Sequence, residues 1–345
     1  MYVLVTGHQG YLGVVITRLL RAAGHDVTGL DSGFYDGCSL GPEPAPIPTH
    51  RIDLRDVQPG HLRGIDAVVH LAALSNDPVG DLAPEITYDI NHHASTRLAR
   101  LARDAGVRRF LYSSTCSVYG AAGGDDLVDE DAPLRPVTPY AVSKVRVEDD
   151  LHALADADFT PVSLRNATAF GFSPRLRADI VVNNLVGWAY LTGEVKVLSD
   201  GTPWRPLVHA QDIASAFLAL LEADAAAVSG QAFNVGRQGE NHRVKDIAAA
   251  VAATVPGCRV NITGEAGNDP RSYRVDFSRI IRVVPSYQPT WTMSEGAAEL
   301  YAAYQKYGLV AADFHNRFVR LRRLAALQAD GELDGNLRRR SGQPV

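Results

Sequence analysis

The chain has 345 residues, 46% of them hydrophobic and 21% charged, which predicts a sizeable core in one large unit or two interlocked units. The composition excludes disorder for the bulk of the chain, and the net charge of −5 speaks against a dedicated nucleic-acid binder. Three widely separated cysteines with no CxxC pair exclude a disulfide framework and a zinc site, and we predict no metal. No signal-like segment precedes Tyr2 and no apolar run reaches 18 residues, so we expect a soluble, cytoplasmic protein with no membrane partner.

Short apolar and β-branched runs predict strands, in chain order, at 2–5, 26–30, 51–53, 67–71, 109–112, 162–165 and 195–198. Apolar residues at helical spacing predict helices at 11–23, 96–105, 246–255 and 293–307. A stretch rich in glycine and proline predicts an irregular loop at 38–49. The alternation of strands and helices predicts a doubly wound α/β fold with a parallel sheet and right-handed crossovers.

Three glycines follow the first predicted strand with the spacing GxxGxxG and lead into the first predicted helix. Gly7 allows a tight turn, Gly10 lets the backbone approach a pyrophosphate, and Gly13 permits close contact between helix and strand. The start of the helix then offers unpaired N–H groups to the phosphates. This strand-to-helix context predicts a dinucleotide-binding site.

Asp31 ends the second predicted strand, 18 residues after Gly13. A carboxylate at that distance accepts hydrogen bonds from the hydroxyls of the adenine ribose, and it would repel a 2′-phosphate. No arginine or lysine follows it directly. NAD is therefore predicted rather than NADP, although the sequence leaves open whether NADP can replace it.

Tyr140 and Lys144 lie four residues apart, which places both on one face of a helix. A phenol has a pKa of about 10, and a nearby ammonium together with oxidised nicotinamide favours its ionised form. Tyr140 is thus a candidate acid and base for a substrate hydroxyl or ketone, with Lys144 tuning it and holding the nicotinamide ribose. A third hydroxyl is expected from the serine-rich end of the strand at 113–117, because such strand ends face the ligand crevice.

These segments resemble the extended short-chain dehydrogenase/reductases in four features, which are TGxxGxLG at 6–13, Asp31, SSTxSVYG at 113–120 and PYxxSK at 139–144. Within that family the chain is most similar to the NAD-dependent nucleotide-sugar epimerases and dehydratases, over roughly residues 1–310. The resemblance implies a Rossmann-type sheet with a smaller, partly interleaved α/β region for the substrate. It also implies a further set of coenzyme contacts, namely Tyr11, Leu12, Asp53, Leu54, Leu71, Ala72, Ala73 and Asn91.

By the same resemblance the catalytic hydroxyl is that of Thr115. The family's dehydratases carry Asp-Glu directly after this residue, whereas this chain has Cys116 and Ser117. An elimination needs an acid and a base at the neighbouring carbon, which these two residues do not supply. The family's decarboxylases carry glutamate where Ser117 stands, so both activities are disfavoured and epimerisation remains.

The resemblance implies substrate contacts at Thr168, Asn184, Arg205, Arg271 and Tyr273, with Arg205 on the nucleotide pyrophosphate. Arginine forks suit phosphate oxygens, and amides suit ribose or base edges. Two departures leave the nucleotide open. Thr168 stands where the family often has asparagine, and the second phosphate arginine is missing before Tyr273. Further candidates are Arg175, Arg177, Asn183, Arg274 and the segment 75–77.

The predicted NAD-binding domain spans 1–170, with 206–240 returning to it, and the substrate-binding region spans 171–205 and 241–310. Residues 311–345 are predicted to form a C-terminal helix and basic tail, with the tail solvent-exposed and frayed. Homodimers are expected through helices near Thr96 and Tyr140, as in many family members.

The sequence therefore predicts an NAD-dependent nucleotide-sugar epimerase that works by reversible hydride transfer through a keto-sugar. A reductase or dehydratase of a nucleotide-linked sugar remains an alternative, and a reductase would consume NADH or NADPH stoichiometrically. A catalytically silent NAD-binding sensor is the alternative from another class. The sugar, the nucleotide and the carbon attacked stay open.

Overall fold

The computed structural model describes residues 1–75, 84–120, 127–265 and 272–340. A seven-stranded sheet forms its centre, with every pair of neighbouring strands parallel and the order β11-β7-β5-β4-β1-β2-β3. These strands are β1 Tyr2–Thr6, β2 Asp26–Leu30, β3 Thr49–His50, β4 Ala67–His70, β5 Arg109–Thr115, β7 Thr160–Asn166 and β11 Ala232–Val235. The inner strands are buried runs, as a sheet covered by helices on both faces requires.

Helices cover the sheet and build the rest of the described chain. Those of ten or more residues are α1 Tyr11–Ala22, α2 Ser95–Asp104, α3 Pro139–Leu154, α4 Val181–Thr192, α5 Ala210–Glu222, α6 Val244–Thr254, α7 Met293–Tyr307 and α8 Arg320–Ala329. Shorter helical segments are Leu54–Asp56, Pro59–Leu62, Pro84–Thr87, Tyr88–Ala94, Cys116–Tyr119, Ala225–Val228, Ser278–Val283 and Ala311–His315. Within the described residues, no helix is long and apolar enough to cross a membrane.

The order of the central strands reverses between β1 and β4. From β1 the chain builds outward through β2 and β3, then crosses to β4 and builds the other way through β5, β7 and β11. In open parallel sheets a crevice opens outside the carboxyl ends of the strands at such a reversal. The segments after Thr6 and His70 therefore border one crevice.

Smaller sheets flank the central one. In the first, β8 Thr168–Phe170 pairs in parallel with β10 Trp204–His209, which pairs antiparallel with β12 Asn241–Arg243. In the others, β9 Glu194–Val197 pairs with β13 Arg259–Ile262, and β6 Leu127–Val128 pairs with β14 Arg274–Val275. Because β8 begins two residues after β7 ends, the chain passes from the central sheet to this region at Ala167.

The predicted fold class is confirmed, and the predicted strand at 26–30 and helix at 293–307 have the bounds found in the structure. The strand predicted at 51–53 is wrong in position, since pairing occurs at Thr49–His50. Asp53 instead caps the short helix that follows, where its carboxylate accepts a hydrogen bond from the Arg55 amide at 2.8 Å. The domain boundaries stay a prediction, and residues 207–209 pair with β8 rather than with the central sheet.

The predicted C-terminal helix is present at Arg320–Ala329, but its expected solvation is wrong for part of residues 320–340, and the end at 341–345 lies outside the described residues. Leu324, Leu327, Leu333 and Leu337 are buried in one apolar cluster with Phe34, which lies in the loop after β2. Basic side chains of this segment also bind the backbone of the loop after β2. The Arg339 guanidinium donates to the carbonyls of residues 32 and 33 at 3.0 and 2.8 Å. The leucines of α8 recur at helical spacing and form a buried apolar stripe, which residue propensities alone did not predict.

We expect Leu327→Ala to lower the free energy of unfolding by about 2–4 kcal/mol, because Leu327 is fully buried and its truncation leaves a cavity. The matched control is Leu198→Ala, since Leu198 is 53% exposed and its loss should cost less than about 0.5 kcal/mol. Urea denaturation measures both. If Leu327→Ala and Leu198→Ala lowered the free energy of unfolding by the same small amount, the packing of the C-terminal segment would be contradicted.

Candidate active site

The turn after β1 is closed by two glycines whose positions leave no room for a side chain. Gly7 has φ of +70°, and a Cβ there would lie 2.9 Å from the amide nitrogen of Ala72. A Cβ on Gly13 would lie 2.1 Å from the Gly7 carbonyl oxygen. The first turn of α1 thus packs directly on the strand ends, as a phosphate-binding turn requires.

The N-terminus of α1 is open to an anion. Gly10 occupies the capping position with no side chain to accept from the helix amides, and the first turn contains no acidic residue. The unpaired N–H groups and the positive end of the helix dipole therefore face the crevice. The structure supplies here what a pyrophosphate needs.

A cavity of about 620 Å³ occupies the crevice at the strand reversal. Its lining contains most of the predicted coenzyme set, namely Gly7, Gly10, Tyr11, Leu12, Gly13, Asp31, Asp53, Leu54, Leu71, Ala72 and Ala73. It also contains Thr115, Tyr140 and Lys144 of the predicted catalytic set and Thr168, Asn184, Arg205 and Tyr273 of the predicted substrate set. One cavity thus brings the three sets together.

One described residue of the predicted set, Asn91, is not part of this lining. Asn91 is buried one layer behind it, where its side-chain amide accepts from the Leu74 N–H at 2.8 Å and donates to the Leu74 carbonyl at 3.0 Å. It therefore positions the strand-end loop that follows Ala73. Arg271 lies outside the described residues, as do residues 76 and 77 of the segment 75–77.

Asp31 joins the glycine turn to the loop after β2. One of its carboxylate oxygens accepts from the Gln9 amide at 3.0 Å and the other from the Gly33 amide at 2.8 Å. The side chain is held in place at the cavity edge, where each oxygen keeps lone pairs for further donors. The position suits a ribose diol.

The catalytic candidates lie on α3, which begins with a capping Thr138 and a proline at its first position. Lys144 is 3% exposed, and its Nζ donates to the Ser113 carbonyl at 2.6 Å. The same Nζ lies 4.7 Å from the centroid of the Tyr112 ring and 5.6 Å from that of Tyr140. Burial lowers the pKa of Lys144 to about 7, although the Glu148 carboxylate acts in the opposite direction.

Glu148, which the sequence analysis missed, sits one turn after Lys144 on the same face of α3. It forms a buried ion pair with Arg165 at 2.7 Å and accepts a short hydrogen bond from the Ser114 hydroxyl. Arg165 also donates to the Tyr119 hydroxyl at 3.1 Å, and its pKa is raised chiefly by the Glu148 charge, against the effect of burial. The spacing of residues 140, 144 and 148 is the signal that would have found this network.

Thr115 ends β5, and its hydroxyl oxygen accepts from the Ser117 amide at 3.1 Å. Its hydrogen remains to be donated to another oxygen. Behind it, the Asn166 side chain donates to the Ser113 hydroxyl at 3.1 Å and to the Ser114 carbonyl at 3.3 Å. The end of β5 is thus held rigidly beside α3.

On the substrate side, two of the extra candidates are structural rather than cavity-lining. Arg175 pairs with Glu43 at 2.9 Å, and Asn183 is fully buried, where its side chain accepts from the Gly171 amide at 3.0 Å. Arg177 does line the cavity and pairs with Asp179 at 2.9 Å. Among the described residues, no group of three or more histidine, cysteine or acidic side chains could hold a metal.

The open helix end, the crowded glycine turn and the size of the cavity fit a dinucleotide, and Tyr140 with Lys144 is placed beside it. The arrangement defines a class of dinucleotide-dependent enzymes built on a Rossmann-type sheet. Residues 3–236 match the model of the NAD dependent epimerase/dehydratase family. The chain belongs to this family and is an NAD-dependent enzyme of the epimerase/dehydratase type, which confirms the resemblance and the coenzyme predicted from the sequence.

The relatives of similar length include both epimerases and dehydratases. The UDP-glucose 4-epimerase of Mycolicibacterium smegmatis is 30% identical over 314 residues, which is 87% of this chain and 97% of the relative. The structure of TunA, an NAD-dependent NDP-hexosamine 5,6-dehydratase of tunicamycin biosynthesis, has a TM-score of 0.79 at 26% identity, covering 88% of this chain and 98% of TunA. The structure of MoeE5 in complex with UDP-glucuronic acid and NAD has a TM-score of 0.76 at 28% identity, covering 89% of this chain and 99% of MoeE5.

We expect Lys144→Met to raise the free energy of unfolding of NAD-free protein, most strongly at or below pH 7. The folded-state pKa of about 7 lies under the unfolded value of about 10.4, so wild-type unfolding takes up a proton between them and wild-type stability rises with pH there. The advantage of the variant should therefore shrink toward pH 10.

Urea denaturation at pH values of about 6, 8 and 10 measures this difference. Lys306→Met is the control, because Lys306 is exposed on α7 and should show no such trend. A stability difference for Lys144→Met that does not change with pH would contradict the lowered pKa.

Proposed function

We propose that this protein is a nucleotide-sugar epimerase that inverts a sugar carbon bearing a hydroxyl, with NAD retained through the cycle. The observation that carries the proposal is the set of residues along one wall of the cavity. It presents the Thr115, Tyr140 and Lys144 side chains, while the two positions after Thr115 carry no carboxylate. Bound NAD⁺ supplies an acceptor for the hydride that leaves the sugar carbon and later returns to it.

Tyr140 moves the proton. Its phenol oxygen takes the proton of the sugar hydroxyl as the C–H bond breaks, and gives it back when the ketone is reduced on its other face. A charged Lys144 at 5.6 Å from the ring centroid attracts the phenolate by on the order of 3 kcal/mol at an effective dielectric of about 20. Thr115 donates its remaining hydrogen to the reacting oxygen and holds it near Tyr140.

Among the described residues, the lining offers no free acid and base for an elimination beside Thr115. Cys116 is buried, its thiol donates to the Arg165 carbonyl at 3.1 Å, and burial raises its pKa far above neutral. Ser117 is an ordinary hydroxyl. Each carboxylate of the described lining is already engaged by donors, Asp31 by two amides, Asp53 by Arg55 and Asp179 by Arg177. Epimerisation needs none of them.

The substrate half of the cavity supports a nucleoside diphosphate. Arg205 on β10 and Asn184 on α4 line it together with Thr168 and Tyr273. The Asn184 side chain donates to the Ala178 carbonyl at 2.8 Å, so its oxygen is positioned as an acceptor. An arginine fork and an amide together suit phosphate oxygens and a ribose or base.

The proposal is tested by incubating purified protein with UDP-, dTDP- and GDP-hexoses in D₂O and following the products by NMR. An epimer that keeps hydrogen on the inverted carbon, without loss of added NAD, is the expected result. A 6-deoxy-4-keto product carrying deuterium at the neighbouring carbon would make the protein a dehydratase. Stoichiometric consumption of NADH would make it a reductase, and no turnover with any sugar would leave only NAD binding.

We expect Tyr140→Phe to lower kcat by about 10²–10⁴-fold, the usual contribution of a positioned acid and base. Retained NAD should stay within about twofold of wild type, because the ring and Lys144 remain. The control is Tyr2→Phe, because Tyr2 is 39% exposed and begins β1, whereas the cavity borders the segment after the other end of β1. Turnover by Tyr140→Phe close to wild type would remove Tyr140 from the chemistry.

A further inference from the structure

Arg320, the first residue of α8, is a buried cation without a dedicated anion. It is 3% exposed, and its Nη1 has no hydrogen-bond partner in the described part of the chain. Its Nη2 reaches the Arg175 carbonyl at 3.4 Å, and its guanidinium carbon lies 3.8 Å from the centroid of the Tyr35 ring. A buried, unsatisfied guanidinium nitrogen is costly unless a ligand satisfies it.

Arg320 lines the cavity of the candidate active site. Val319, Arg320 and Leu321 all belong to the cavity lining, on the side formed by Phe34 and Tyr35. Arg177 lines the same cavity, and the two cations repel each other, while Asp179 is the nearby counter-charge bound to Arg177. Asp179 is bound to Arg177, and no ion pair joins Arg320 to a carboxylate within the described residues.

The neighbours of Arg320 come from both halves of the site, because Arg175, Arg177 and Asp179 belong to the predicted substrate region and Tyr35 belongs to the coenzyme half. Tyr35 follows Asp31 in the loop after β2, and α8 is anchored on the same loop through the cluster of Leu324 and Leu327 with Phe34. The charges of Arg320 and Arg177 also act on the phenol of Tyr11, which opens α1 at the glycine turn. Arg320 is therefore close enough to act on the side chain of the residue that begins α1, the helix whose N-terminus is open to a pyrophosphate.

The C-terminal segment continues along this half of the site. Arg55, beside Asp53, donates to the backbone carbonyls of residues 336 and 337 at 3.0 and 3.3 Å. Arg339 donates to the carbonyls of residues 32 and 33, directly after Asp31. Residues 319–340 are thus fastened beside Asp31 and Asp53, two predicted coenzyme contacts, and residues 319–321 line the cavity.

We propose that Arg320 binds the pyrophosphate of NAD, and that the segment 319–340 thereby closes the coenzyme site. The proposal rests on the coenzyme half of the proposed function and adds a binding residue beyond the region of the family match, which ends at residue 236. The diphosphate of a nucleotide sugar is the other source of the same chemistry. The contact of Arg320 with the Tyr35 ring and the packing of α8 against Phe34 favour NAD.

The test uses full-length protein stripped of coenzyme with charcoal, titrated with NAD, adenosine and UDP by calorimetry or thermal shift. Arg320→Met should weaken NAD binding on the order of 10- to 100-fold, as the loss of a hydrogen bond to a charged group does. Adenosine, which lacks phosphate, and UDP should bind within about twofold of wild type. Purified Arg320→Met should also lose its NAD during dialysis.

Two variants serve as controls. Arg322→Met removes an exposed arginine of the same helix and should leave NAD affinity unchanged. Arg320→Lys keeps the charge and should retain more NAD affinity than Arg320→Met, which tests the proposal even if Arg320→Met folds poorly.

Three results would overturn the proposal. They are unchanged NAD affinity in Arg320→Met, a loss for UDP instead of NAD, or an equal loss for adenosine, which would mean a structural role only. Because NAD binding is measured without any sugar, the outcome is independent of whether a nucleotide sugar is epimerised.

Discussion

The site depends on one buried ammonium. Lys144 is held by the Ser113 carbonyl, lies over the Tyr112 ring and has Glu148 one turn away on the same helix. Glu148 in turn is bound to Arg165 on β7. Removing one partner of such a buried pair costs about 3–5 kcal/mol, so α3, β5 and β7 are held together by the same charges that surround Tyr140. Tyr140, the proposed proton-transfer group, is placed by a charged network rather than by apolar packing alone.

The two halves of the cavity are built by different parts of the chain. Loops after β1, β2 and β4 make the coenzyme half, because the sheet order reverses there and leaves a crevice at the strand ends. β8, α4 and β10 supply the substrate half after the chain leaves the central sheet. The end of β5 and the start of α3 lie between them, which puts the candidate catalytic groups where both ligands would meet.

The charge distribution of the described lining supports the proposed epimerisation over elimination. A dehydratase needs a proton donor and a base at the carbon next to the ketone. Here the residues after Thr115 are a buried thiol and a hydroxyl, and the carboxylates of the described lining are bound to amides or arginines. This chain and the dehydratase TunA have a similar fold. Under the proposed function, the difference in reaction between them therefore comes from the residues that line the site and not from the fold.

Much of the site could be predicted from the sequence, because its signals are local. The glycine spacing, the acid at the end of β2 and the Tyr-Lys pair each follow from the geometry of one turn or one helix face, and the strand-helix alternation determined the fold class. The partners of these residues could not be predicted, since the Glu148–Arg165 pair and the Asn91–Leu74 contact join residues 17 positions apart. The C-terminal segment shows this most clearly. Its basic composition indicates a solvated tail, and only the tertiary structure decided that its leucines bury against Phe34 and that Arg320 reaches the coenzyme cavity, because burial depends on which distant surface is there to receive a side chain.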